Sequence, residues 1–154
     1  MLLERRSAPD PSFIVGLSPA LRTLSGDAVS AVAAAMQYVE LGAGEPLFPE
    51  DDRIDALYIV QSGVLHATEP DATGTPCLVR TVGAGEALDQ LQVLSGGSRR
   101  VDVRAVEPCQ LWMIPGDVVD ALVESQPEFR AVRERIHRRQ LFCRLHAIFG
   151  ALDQ

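Results

Sequence analysis

Apolar positions along this chain change their period twice. Residues 1–12 are polar and carry prolines, and they read as a loose leader. Ser18-Pro19 suits a helix start, with the serine capping and proline in the first turn. Ser25-Gly-Asp27 then precedes an alanine-rich run whose apolar positions Val29, Val32 and Met36 share one helical face. Gly42-Ala-Gly44 ends that regime. Short apolar segments separated by turn residues follow to about residue 115. Ala56–Val60, Val64–Thr68, Cys77–Val82, Val101–Ala105 and Gln110–Ile114 each predict a strand, with a hairpin-like loop at Asp71–Gly74. Short strands at near-regular spacing imply a sandwich or barrel. After Pro115-Gly116 the helical period returns. Asp117 opens one helix over Val118–Val123, and Ser125 with Pro127 opens a longer one. The stripe of that longer helix runs through Phe129, Val132 and Ile136, then changes face to Phe142, Leu145 and Phe149.

Composition narrows the class. With 154 residues, 47% of them hydrophobic, the chain can bury one core as a single domain. A net charge of −7 argues against nonspecific nucleic-acid binding, which needs excess cationic charge. Six of the fourteen cationic residues are arginines between Arg130 and Arg144, and they read as the solvated face of the terminal helix. Cys77, Cys109 and Cys143 are widely spaced without a paired-ligand pattern, which fits reduced thiols and a cytoplasmic setting. The N-terminus lacks a signal-peptide core, and no apolar run approaches the ~20 residues of a membrane span.

The stretch with the most chemistry is Gly83-Ala-Gly-Glu-Ala-Leu-Asp89, answered by Arg99-Arg-Val-Asp-Val-Arg-Ala105. A glycine turn brings backbone N–H groups near an anion, a guanidinium fork suits two phosphate oxygens, and a carboxylate accepts from sugar hydroxyls. Enzyme alternatives find less support. His66, His137 and His146 form no clustered set for a metal-dependent β-roll, and neither a Gly-x-Ser-x-Gly elbow nor a Walker loop occurs.

The order helix, strands, short helix, long helix resembles the cyclic nucleotide-binding domain family, which includes catabolite activators and protein kinase A regulatory subunits. Gly44–Leu65 is similar to that family's first hairpin, with Asp52, Tyr58 and Gly63 matching and Asp51 in place of the turn glycine. The resemblance spans about residues 17–148. It implies a mainly β fold with flanking helices, a β-roll (double-stranded β-helix or jelly roll) between an N-terminal helix and C-terminal B and C helices. Residues 1–16 are then a leader, and 149–154 open a following segment. Gly85-Glu86 looks like the start of the phosphate-binding cassette, with Glu86 on the ribose 2′-hydroxyl. Val103-Arg-Ala105 sets the register that puts Arg99 on the phosphate. The resemblance thus assigns contacts with cAMP or cGMP to Gly85, Glu86, Ala87, Arg99, Arg100 and Val101. Arg100, Val101 and Asp102 stand where relatives have small residues or a threonine, so a cassette that only closes the roll is a second reading.

Leu91–Gly97 is similar to the cassette of domains that precede the catalytic unit of patatin-like phospholipases of the neuropathy target esterase type. Phe149-Gly-Ala-Leu-Asp153 echoes Leu21-Arg-Thr-Leu-Ser25, as in tandem domains of a longer chain. The expected role is regulatory and non-enzymatic, with no cofactor or metal, and the partner is a neighbouring domain of the parent chain. The alternatives are a ligand-free interaction module and the sensor half of a catabolite-activator-like transcription regulator, whose DNA-binding helices would follow Gln154.

Overall fold

The computed structural model describes residues 2–4, 11–47, 56–89, 102–135 and 138. Eight strands form two antiparallel sheets there: β1 (Leu2–Glu4), β2 (Gln37–Leu41), β3 (Ala56–Ser62), β4 (Leu65–Pro70), β5 (Pro76–Val82), β6 (Ala87–Asp89), β7 (Asp102–Ala105) and β8 (Cys109–Pro115). The larger sheet has the order β1-β2-β8-β3-β6 and the smaller β5-β4-β7. Helices α1 (Pro11–Leu17), α2 (Gly26–Ala35) and α3 (Gly116–Ser125) flank them, and residues 127–135 are helical as well. This is the mainly β fold with flanking helices that the sequence predicts. No helix among the described residues is long and apolar enough to cross a membrane.

Alternation along the strands builds two cores. Val39, Leu41, Tyr58, Val60, Leu88, Leu111 and Met113 turn inward and meet Leu65, Ala67, Val82 and Val103 of the smaller sheet. The intervening residues Tyr38, Leu57, Ile59, Ala87, Trp112 and Ile114 turn outward, against α1, α2, α3 and Phe129. The registers agree: Tyr58 pairs with Leu88 and Met113, while Ile59 pairs with Ala87 and Trp112. The larger sheet is therefore apolar on both faces, which explains the continuous run Ala-Leu-Tyr-Ile-Val in β3.

The caps behave as local chemistry dictates, with exceptions. Ser25 caps α2, accepting from Ala28 N–H (3.3 Å). At α3 the cap position is Pro115, with no side-chain cap bond; Asp117 lies inside the first turn and accepts from the adjacent Val118 N–H (3.0 Å), so it does not cap the helix as the sequence predicts. Ser18-Pro19 opens a 3-10 turn over Pro19–Thr23 rather than an α-helix. The Ser125 hydroxyl donates back to the Ala121 carbonyl (2.8 Å), so it closes α3 instead of opening the next helix. In the Asp71–Gly74 loop the Asp71 carboxylate accepts from the N–H groups of Thr73 (2.8 Å) and Thr75 (3.0 Å).

The predicted leader is more structured than its polarity implied. Leu2–Glu4 adds a strand to the edge of β2, and Pro11–Leu17 is α1, whose Ile14 is fully buried. Prolines and charges hid both elements, because β1 is held by ladder hydrogen bonds and α1 by only a few apolar contacts. Beyond these, β2 and the three-residue β6 also went unpredicted. The C-terminal part of the long helix and residues 149–154 lie outside the described residues, as does the Asp51-Asp52 turn.

Gly63, between β3 and β4, leaves no room for a side chain. Its φ is +93°, and a Cβ would lie 2.6 Å from the Pro108 carbonyl oxygen and 2.7 Å from Cys109 Sγ. Gly63→Ala should therefore cost about 2–4 kcal/mol, from left-handed strain plus the clash. In thermal unfolding that corresponds to a melting point lower by roughly 5–10 °C. A melting point within a degree of the parent would refute this close packing.

Candidate ligand-binding site

The site begins in a turn that the molecule builds twice. Gly42-Ala-Gly-Glu45 and Gly83-Ala-Gly-Glu86 share sequence, and they share hydrogen bonds. In the first, Glu45 N–H donates to the Gly42 carbonyl (3.0 Å) and Gly42 N–H donates to Glu45 Oε1 (3.0 Å). In the second, Glu86 N–H donates to the Gly83 carbonyl (3.0 Å) and Gly83 N–H donates to Glu86 Oε1 (3.1 Å). The third residue of each, Gly44 and Gly85, has φ +82°, which only glycine adopts without strain.

Each turn then grips a strand end. Gly44 N–H donates to the Ala105 carbonyl (2.8 Å) and Ala105 N–H to the Glu45 carbonyl (3.0 Å). Likewise Gly85 N–H donates to the Val60 carbonyl (2.8 Å) and Val60 N–H to the Glu86 carbonyl (3.0 Å). The second turn carries the chain from β5, an edge of the smaller sheet, to β6, an edge of the larger one, whereas the first leads from β2, inside the larger sheet, to Pro46, which bridges Arg104 of β7.

This duplication bears on the predicted ligand contacts. The Gly85 N–H is spent on Val60, and a Cβ on Gly85 would point toward the Leu17 carbonyl (3.7 Å), on the side of α1. Ala87 faces outward, in the buried cluster that also holds Leu122 and Phe129 and away from the roll interior. Glu86 keeps one carboxylate oxygen on the Gly83 N–H, with the other 3.8 Å from Arg80 Nη2. Gly85, Glu86 and Ala87 are thus brought together, as a self-closing turn plus the first residue of β6. Arg99, Arg100 and Val101 lie outside the described residues.

Arg80 was not predicted. It pairs with Ala67 across the β4–β5 ladder, two residues from the Leu65–Val82 pair, and so shares the inward face of those core residues. Its side chain is 7% exposed, and Nη2 donates to the Ala87 carbonyl (3.1 Å). The signal was present in Cys77-Leu-Val-Arg-Thr-Val82, where two-residue alternation puts Arg80 in phase with Val82. A charge at an inward position reads as an exposed residue unless its partner is known. Here the partner, Glu86, is the last residue of the following turn.

The terminal helix is tied to α3 by its own arginines. Arg130 Nε donates to the Val123 carbonyl (3.1 Å), and Arg133 Nη1 lies 3.6 Å from Asp120 Oδ1. Phe129 is fully buried. Cys109, also buried, donates Sγ–H to the Val64 carbonyl (3.3 Å), and desolvation by burial raises its pKa above the ordinary thiol value.

Residues 38–126, more than half of the chain, match the family model described as cyclic nucleotide-binding domain. Among curated proteins, lysophospholipase nte1 of Aspergillus oryzae is 25% identical over 125 residues, which cover 81% of this chain. The chain spans only 8% of the length of that relative. Among solved structures, the regulatory domain of Toxoplasma gondii PKA, crystallised with cAMP, is 29% identical with a TM-score of 0.63, covering 79% of this chain and 46% of that one. A transcriptional regulator of the crp/fnr family from Eubacterium rectale, described as putative, shares the fold at 12% identity and a TM-score of 0.73, covering 84% of this chain and 61% of that one.

Removing the Glu86 carboxylate should destabilise the protein with no ligand present. Glu86→Ala loses the bond to Gly83 N–H and the counter-charge of buried Arg80, at a cost of about 1–3 kcal/mol in urea unfolding. Unchanged stability would mean that the carboxylate does not lock this turn.

Proposed function

The chain belongs to the cyclic nucleotide-binding domain family, and from that membership we propose that it is the sensor segment of a larger phospholipase-type protein. The ligand is cAMP or cGMP, taken by the cassette that opens at Gly85-Glu86, and this segment carries no catalysis of its own. Similarity to lysophospholipase nte1 supports the phospholipase context, and the cAMP-bound structural neighbour supports the ligand class. Arg99 receives the phosphate, with Arg100 and Val101 beside it, while Gly85, Glu86 and Ala87 shape the mouth. The free thiols of Cys77 and Cys109 agree with a cytoplasmic setting.

One observation carries the regulatory reading. Strand β6 leads into the cassette and is only three residues long, with Leu88 in the roll core and Ala87 in the helix-facing cluster with Leu122 and Phe129. Drawing the cassette inward moves β6, and the buried cluster that Ala87 shares with α3 and Phe129 passes that movement to the helices. A neighbouring domain of the parent chain then feels a shifted helix. Ligand alters the balance only by favouring one helix position over the other.

A second reading, a ligand-free interaction module, gains support from the engaged Gly85 N–H and Glu86 carboxylate. Isothermal titration with cAMP and cGMP separates the two. The sensor reading expects heat with at least one nucleotide, and Arg99→Ala should weaken it by roughly 100-fold, the loss of a charge-assisted bidentate contact. Absence of both heat and thermal shift at millimolar nucleotide would leave the interaction module.

A further inference from the structure

Arg80 joins two parts of the molecule that the backbone connects only through a turn. It belongs to β5 of the smaller sheet, while its acceptor, the Ala87 carbonyl, belongs to β6 of the larger one. Glu86, 3.8 Å from the same nitrogen, is the last residue of the turn between them. Nη2 meets both groups, donating to the carbonyl and lying within ion-pair distance of Glu86 Oε2. Leu65, Ala67, Val82 and Leu88 belong to the apolar cluster on that inward face, where such contacts are screened little by water.

Residue β6 edge geometry makes this contact matter. Strand β6 lies at the edge of its sheet and pairs only with β3 among the described residues, over Ala87, Leu88 and Asp89. Three ladder positions give such a strand little stability of its own. We propose that Arg80 is the positioning residue of the cassette: by clamping the Ala87 carbonyl and Glu86 from inside the roll, it fixes β6 where the cassette begins. The clamp holds β6 in the unliganded protein. Its effect on nucleotide affinity rests on the sensor reading above, whereas its effect on β6 does not.

The test is residue-resolved hydrogen exchange on the whole chain, comparing the parent with Arg80→Met, Arg80→Lys and the double variant Arg80→Met/Glu86→Gln. Methionine keeps the side-chain length and suits the apolar interior. In Arg80→Met, the amides of Val60 and Gly85, which join β3 to the turn, should exchange about tenfold faster or more, as should Leu88. Val39 and Leu111, in the β2–β8 pair, should stay within about twofold. Arg80→Lys should recover part of the protection, because it keeps a cation with fewer fixed donors. The double variant should remain fast, since the Ala87 carbonyl still lacks its donor.

Unchanged exchange at β6, or an equal rise in β2 and β8, would overturn the clamp. So would a double variant restored to parental rates, which would trace the effect to a stranded Glu86 charge. If β6 loosens as expected while the parent binds neither cAMP nor cGMP, the sensor reading fails and the clamp stands. If the parent does bind, Arg80→Met should raise the nucleotide dissociation rate, and an unaltered rate would refute the cassette-positioning role.

Discussion

The structure depends on one sheet being covered on both faces. Along β3 the side chains of Ala56, Tyr58 and Val60 enter the roll, while Leu57 and Ile59 enter the helical layer. All five are almost wholly shielded from water, and exposing either face would forfeit about 1.5–3 kcal/mol per large side chain. The smaller sheet must therefore close the roll, and the helices must stay on the other side. Any change at the edge of the larger sheet is then shared between two cores. That coupling links the mouth of the roll to the helices without a separate relay.

The mouth itself is built from ordinary parts. Two Gly-Ala-Gly-Glu turns share the same internal bonds, and the second carries the chain from β5 of the smaller sheet to β6 of the larger. Among the described residues only the second stands next to a buried guanidinium, and it opens the candidate cassette. Glu45 and Glu86 share a turn-locking role, and what separates them is Arg80. Sequence resemblance treats Glu86 as a ligand contact; the geometry gives it a structural task first.

The larger elements were legible in the sequence because their burial follows a simple period. Val29 and Val32 share the buried face of α2, and β3, β4, β5 and β8 emerge within a few residues of their predicted limits. Elements that depend on distant partners were not legible. Leu2–Glu4 is a strand only because β2 offers an edge, and Ala87–Asp89 only because β3 does. Arg80 was invisible for a related reason: an arginine in a strand is read as exposed, and its inward placement makes sense only once Glu86 and the Ala87 carbonyl are seen beside it. The sequence marks Gly63 and Gly85 as turn glycines, but it does not say that both take left-handed backbone or that the N–H of Gly85 is already bonded to Val60.

The central claim is that movement at the roll mouth reaches the helices through β6. Methyl NMR spectra of Ala87, Leu88 and Leu122, recorded during a cAMP titration of the whole chain, test it most directly. The account predicts that the Leu122 methyl signals shift along one binding curve with those of Ala87 and Leu88. Saturable shifts at Leu88 with Leu122 unmoved would contradict it, for ligand would then bind without informing the helices.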